Sequence, residues 1–108
     1  MSTEHYTYRV RWSPVDQEHV GTVAEFPSLS WLDADPRAAF DGIHNLVTEV
    51  LEDMAQTGEE PPVALADRDY SGKFLVRVPP EAHRQLALDA AEQNVSLNRL
   101  AAQRLAAS

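Results

Sequence analysis

Lys73 and Arg77 stand four residues apart in the run Lys73-Phe74-Leu75-Val76-Arg77-Val78, with Leu75 midway between them. In an extended strand successive side chains point to opposite faces, so Lys73, Leu75 and Arg77 share one face and Phe74, Val76 and Val78 the other. Two long cationic donors on one face suit guanine edges and phosphates, and an aliphatic side chain between them suits a thymine methyl. A second anion-binding feature follows at Ser96-Leu97-Asn98. If Ser96 caps a helix, the free N–H groups near Leu97 and Asn98, with the helix dipole behind them, can hold a phosphate. This is the chemistry of recognising a polyanion. The plain alternative is a solvated strand face beside an ordinary helix cap.

Bond-making chemistry has weaker support. Asp16, Glu25, Asp41 and Glu49 are available as carboxylates, but no motif joins them into a metal-holding cluster, and solubilising acids are the simpler reading. His5, His19, His44 and His83 lack metal-ligand spacing, and His83 reads as a packing or capping residue in a first helical turn. No Ser-His-Asp signature, phosphate-binding loop or dinucleotide fingerprint occurs. Trp12 and Trp31 read as core or rim residues. The sequence therefore predicts no catalytic residue, no metal site, no cofactor and no enzyme.

The elements that must position these residues can be read from periodicity. His5 to Trp12 alternates apolar and polar residues at period two, as a strand does. Ser13-Pro14-Val15-Asp16-Gln17-Glu18 is turn chemistry, and His19 to Phe26 reads as the returning strand, with a short third strand at Leu29 to Leu32. Asp35-Pro36 opens a helix, an acid at the cap and proline at the first position. Ala39, Ile43, Leu46, Val47, Val50, Leu51 and Met54 then form one apolar stripe, which Gly58 ends. Two strands and one long helix can hide that stripe only if the helix lies across the sheet. Residues 57–69 read as a solvated connector, in which Val63-Ala64-Leu65 could pack as another strand. After the strand at 73–78, Pro79-Pro80 opens a helix from Glu81 to Gln93 with Ala82, Leu86, Ala87 and Ala90 on one side. Asn94 suits the left-handed stop, and a last helix runs from Ser96 to about Ala106 with Leu97, Leu100, Ala101 and Leu105 on its face. Arg104 falls in that face, where its stem can pack while its head reaches solvent or a partner.

The strand-helix-helix tail is too small to stand alone. Chains under about 40 residues rarely bury enough surface to fold, and a lone strand has two unpaired edges. Two copies, strands paired antiparallel, would share a core of Phe74, Val76, Val78, Leu86, Leu97, Leu100 and Leu105, and would present Lys73, Leu75 and Arg77 outward as a ribbon that fits a major groove.

The charge of the 108-residue chain is divided. Residues 1–70 carry four arginines against fourteen acids, a net of −10, and residues 71–108 carry five cations against three acids, a net of +2. Such asymmetry fits two units with different partners, although acid surface also simply keeps a small protein in solution. Cysteine is absent, which fits a reducing cytoplasm. The first residues do not read as a signal peptide, and no run approaches the roughly 20 apolar residues of a membrane helix.

Ser71 to Pro79, with His83, Ala90-Ala91 and Ser96-Leu97-Asn98-Arg99-Leu100, resembles the ribbon-helix-helix domain of HicB-family antitoxins. Gly21, Ala24-Glu25-Phe26-Pro27 and the acid-proline helix start with Arg37-Ala38-Ala39 follow the same family's N-terminal pattern. Ser28-Leu29 stands where the family carries Gly-Cys, and Asn94 where it carries glycine. The resemblance implies an α+β chain with a degenerate, RNase H-like toxin-binding domain at residues 1–60, a linker at 61–70, and a ribbon-helix-helix domain at 71–108. It implies an antitoxin that blocks a small RNA-cleaving HicA-like toxin and represses its own operon through operator DNA, as a homodimer or a dimer of dimers. A solitary regulator without a toxin, and a residual metal-dependent nuclease, are the competing readings.

Overall fold

The computed structural model describes residues 3–107, which divide into two units with the boundary between Tyr70 and Ser71. The chain is α+β, with three antiparallel strands and three α-helices among the described residues.

In the first unit, alternation and turn chemistry produce an antiparallel meander of β1 (Tyr8–Ser13), β2 (Glu18–Val23) and β3 (Ser30–Asp33), in the order β1-β2-β3. The turn between β1 and β2 is tied by Ser13, whose hydroxyl donates to Asp16 at 2.8 Å and whose carbonyl accepts the Gln17 N–H at 2.9 Å. Gln17 takes the left-handed conformation there, at φ 55°. Register sets Tyr8 opposite Val23, Val10 opposite Gly21, and Gly21 opposite Trp31. β2 is shorter than its apolar run predicts. Phe26 N–H bonds back to Val23 and Leu29 N–H to Phe26, so the chain leaves the sheet in turns after Val23.

Helix α1 (Pro36–Thr57) begins and ends where the residue types dictate. The Asp35 carboxylate accepts the Ala38 N–H at 3.2 Å, and Gly58 closes the helix at φ 79° with its N–H on Met54 O. The predicted stripe is the buried one. Ala39, Ile43 and Val47 are buried, with Leu46 and Leu51 packed at the edge of a core that also holds Tyr6, Val23 and Ala64. Close approach of α1 to the sheet depends on Gly21. A Cβ there would stand 2.7 Å from the Ala39 carbonyl oxygen and 3.0 Å from Ile43, inside contact distance. Gly42 does the same from the helix side, leaving room for the indole of Trp31.

The helix therefore covers the sheet face that carries Tyr8, Val10, Trp12, Gly21, Val23 and Trp31. Tyr8 stacks on His44 with ring centroids 3.8 Å apart and meets Phe40 edge-on at 6.0 Å. The other face carries Arg9, Arg11, Val20, Thr22, Ser30 and Leu32, and no helix of the first unit packs on it.

Residues 61–70 are not a linker. Ala64 is buried in the core, Pro62 O accepts the Tyr6 hydroxyl at 2.8 Å, and Leu65 to Asp67 form one 3-10 turn rather than a strand. The residue that fastens this segment is Glu25. Its carboxylate accepts the Thr7 N–H at 2.9 Å, the Thr7 hydroxyl at 3.0 Å and the Leu65 N–H at 2.9 Å, which joins the start of β1 to a segment 40 residues beyond Glu25 itself. Extended, proline-rich composition predicts solvated chain, but the Glu25 carboxylate, the Tyr6 hydroxyl, His5 on Asp67 at 2.7 Å and the buried Ala64 methyl dock it.

In the second unit, α2 (Pro80–Gln93) and α3 (Leu97–Ala106) form a helical hairpin. Asn94 takes φ 61° and ends α2, with Val95 N–H bonded to Ala90 O at 3.0 Å, the bond pattern of a left-handed helix stop. Ala90 and Leu100 are the buried residues between the helices.

Candidate nucleic-acid and dimer interface

The segment Lys73 to Pro79 belongs to no strand in the single chain. The reason is physical. A strand exists by pairing, and the second unit contains no other extended segment to pair with. Every residue from Lys73 to Val78 is exposed, including the apolar set: Phe74 at 73%, Val76 at 57% and Val78 at 51%. Lys73, Leu75 and Arg77 are exposed with them, so the single chain does not separate an inner face from an outer one. Ser71 orders the start of this segment, its hydroxyl accepting the Lys73 N–H at 3.1 Å, just before Gly72 at φ 84°.

The helices divide the other predicted interface residues. Leu100 is buried, Leu86 and Leu97 are half-buried, and Leu105 is exposed at 61%. Leu88, which periodicity did not select, is also exposed, at 48%. The unit thus has a two-residue core and a larger apolar area in solvent. Arg104 does what its place in the apolar face allows. Its stem lies on α3 and its guanidinium donates to Asp89 of α2 at 2.8 Å. Arg104, helped by Gln85, holds the Asp89 carboxyl below its ordinary 3.8.

At the start of α3, Ser96 is the cap, its hydroxyl accepting the Arg99 N–H at 3.0 Å. The N–H groups of Leu97 and Asn98 make no hydrogen bond among the described residues and are directed along the positive end of the helix. Ser96, Leu97 and Asn98 thus stand together, and Lys73, Leu75 and Arg77 stand together on a separate stretch of the same unit.

In the first unit the carboxylates are spread. No group of three or more His, Asp or Glu side chains able to hold a metal ion exists among the described residues. Asp16 is engaged by Ser13 and Glu25 by Thr7 and Leu65. Burial pushes the Glu25 carboxyl up, but the N–H bonds from Leu65 and Thr7, its own N–H and the Thr7 hydroxyl outweigh this, leaving it below its ordinary 4.5. Glu25 is the residue whose role periodicity could not show, because its partners are distant in sequence. Gly21 and Gly42 did carry a signal, since glycine inside a strand or a helix marks a close approach. No helix of the described residues is long and apolar enough to cross a membrane.

The architecture is that of a small sheet-and-helix unit joined in sequence to a helical hairpin with an unpaired extended arm. The chain belongs to the HicB family, whose model matches residues 51–105. That span begins in the second half of α1 and runs through the whole extended arm and nearly all of α3. HicB is an antitoxin family, so membership points to the antitoxin role in a toxin–antitoxin pair and to a toxin as partner. No curated protein and no solved structure matches the chain.

Proposed function

We propose that the chain is the antitoxin of a HicA/HicB-like pair. Its second unit pairs with that of another copy as a ribbon-helix-helix domain and binds operator DNA, repressing its own operon. Its first unit, a degenerate RNase H-like domain, blocks an RNA-cleaving toxin. The observation that carries the reading is the exposed run Phe74, Val76 and Val78 beside a hairpin whose buried core is Ala90 and Leu100. Apolar surface of this extent on so small a unit is stable only when covered.

A second copy covers it economically. Two runs paired antiparallel satisfy each other's backbone groups, turn Phe74, Val76 and Val78 toward Leu86, Leu97, Leu100 and Leu105, and leave Lys73, Leu75 and Arg77 outward for base edges and phosphates. Two copies also bring two α3 starts, each with Leu97 and Asn98 N–H groups, to the DNA backbone. The net of −10 on residues 1–70 suits a basic toxin and speeds the encounter. Electrostatics would also keep that unit off the DNA, leaving contact to the +2 tail.

Light scattering on a sizing column, with and without an operator duplex, tests the DNA half. A dimer that gains mass with duplex supports it. Co-expression with a small basic protein encoded beside the gene tests the toxin half, which fails if no complex forms. One observation favours a solitary regulator without a toxin: the family match omits residues 1–50, most of the proposed toxin-binding unit. Failure of every co-expressed candidate to bind, with operator binding intact, would select that reading.

A further inference from the structure

Four cations stand among the fourteen acids of residues 1–70, and three of them gather around one strand. Arg9 and Arg11 are on β1, both exposed, on the face that no helix of the unit covers. Arg37, at the start of α1, lines a groove with Val10, Pro36, Phe40 and Asp41 on the other side of the same strand. None of the three makes an ion pair among the described residues. β1 is also an edge strand. It pairs with β2 on one side, and its outer edge makes no backbone hydrogen bond among the described residues. Phe40, in the groove, remains 44% exposed, and Trp12, further along β1, 48%.

We propose that the outer edge of β1 docks an extended segment of a partner protein with an acid–apolar–acid pattern. The acids lie opposite Arg9 and Arg11, and the apolar side chain lies beside Val10 and Phe40. Addition of a strand to a free edge supplies main-chain hydrogen bonds, and alternate side chains supply selectivity. Opposite charges directly across two strands attract, and like charges repel.

That rule disfavours a second copy as the occupant. Side-chain faces match only when the summed residue numbers of a symmetric antiparallel pair are even. The two such registers of greatest overlap, centred on Val10 and on Arg11, set Arg9 against Arg11 or Arg11 against itself. The other free edge, β3, offers Ser30 and Leu32 on the corresponding face, with no acid to meet the arginines. Nucleic acid is disfavoured by the surrounding carboxylates, Asp41 in the groove itself among them. The inference stands on the first unit alone and is independent of operator binding.

The test uses the full chain and a fluorescein-labelled dodecapeptide of alternating glutamate and valine, read by anisotropy. Saturable binding is expected. It should weaken about tenfold for a peptide of the same composition with its glutamates grouped, and for one N-methylated at alternate amides. The double variant R9E/R11E should bind the Glu-Val peptide about tenfold more weakly and gain binding to a second labelled dodecapeptide, of alternating lysine and valine. That exchange shows that the variant remains folded. Equal binding of alternating and grouped peptides would overturn the proposal, as would R9E/R11E with unchanged preference. Binding of a labelled single-stranded RNA by the wild-type chain that R9E/R11E loses, with Glu-Val binding unchanged, would overturn it in favour of a nucleic-acid surface.

Discussion

Replacing Glu25 removes the acceptor that fastens residues 62–67 to the sheet, and its cost follows from what each donor faces afterwards. Glu25 takes three hydrogen bonds, from Thr7 N–H, Thr7 Oγ1 and Leu65 N–H. The two Thr7 donors are exposed, and water replaces the carboxylate at small cost, about 0.5 kcal/mol each. The Leu65 donor is part-buried, and losing a charged acceptor there costs about 1.5–3 kcal/mol. Glu25→Ala should therefore destabilise the first unit by about 2.5–4 kcal/mol. Glu25→Gln keeps one acceptor oxygen and turns an NH2 toward a donor, and should cost about 1–2 kcal/mol. Both tryptophans, Trp12 and Trp31, lie in this unit, so their fluorescence in a urea titration follows it selectively. With a slope of about 1 kcal/mol per molar for so small a unit, Glu25→Ala should lower the midpoint by roughly 2.5–4 M. The pH dependence has a definite sign. Because the folded carboxyl titrates below its ordinary 4.5, its contribution is complete above that value and fades as pH falls through the lowered one. The gap between wild type and Glu25→Gln should thus close in acid. Midpoints within 0.5 M for all three proteins at pH 7, or a gap that widens in acid, would refute the latch.

Gly21→Ala forces a methyl against the Ala39 carbonyl, backbone that cannot swing aside, and should destabilise by about 1–3 kcal/mol in the same titration. Gly42→Ala meets instead the ring of Trp31, which is 43% exposed and can rotate out. It should cost less than Gly21→Ala and shift tryptophan emission to the red. Arg77→Ala should weaken operator binding by about 1–3 kcal/mol in a gel-shift titration if Arg77 reads a base, and should relax preference at one position. Log K should fall by about 0.9 per phosphate neutralised as log salt rises, and a salt-insensitive complex would count against the ribbon.

Helices were legible in the sequence almost to the residue, because their ends are written in local chemistry. Asp35-Pro36, Gly58, Asn94 and Ser96 each act within four residues of themselves. Strands were legible as existing but not in length, since β2 ends where Val23 yields to turns that no alternation marks. The docking of residues 61–70 was hidden because its partners, Tyr6 and Glu25, lie 40 or more residues away. Arg104 could be placed on a face, but its choice of Asp89 depends on how α2 and α3 meet. The run at 73–78 marks the opposite limit. Its alternation is clear in sequence, yet a single chain gives it nothing to pair with, so a pattern that asks for a strand meets a structure without one.

The central claim is that this run is completed by a second copy, and the mass of the protein in solution tests it most directly. One chain is 12.0 kDa. Light scattering at micromolar concentration should give about twice that mass or a multiple of it, and Phe74→Asp, which would place a charge in the shared core, should lower it. A wild-type chain that stays at a single mass with α2 and α3 folded, or a Phe74→Asp variant that assembles as wild type does, would contradict the account.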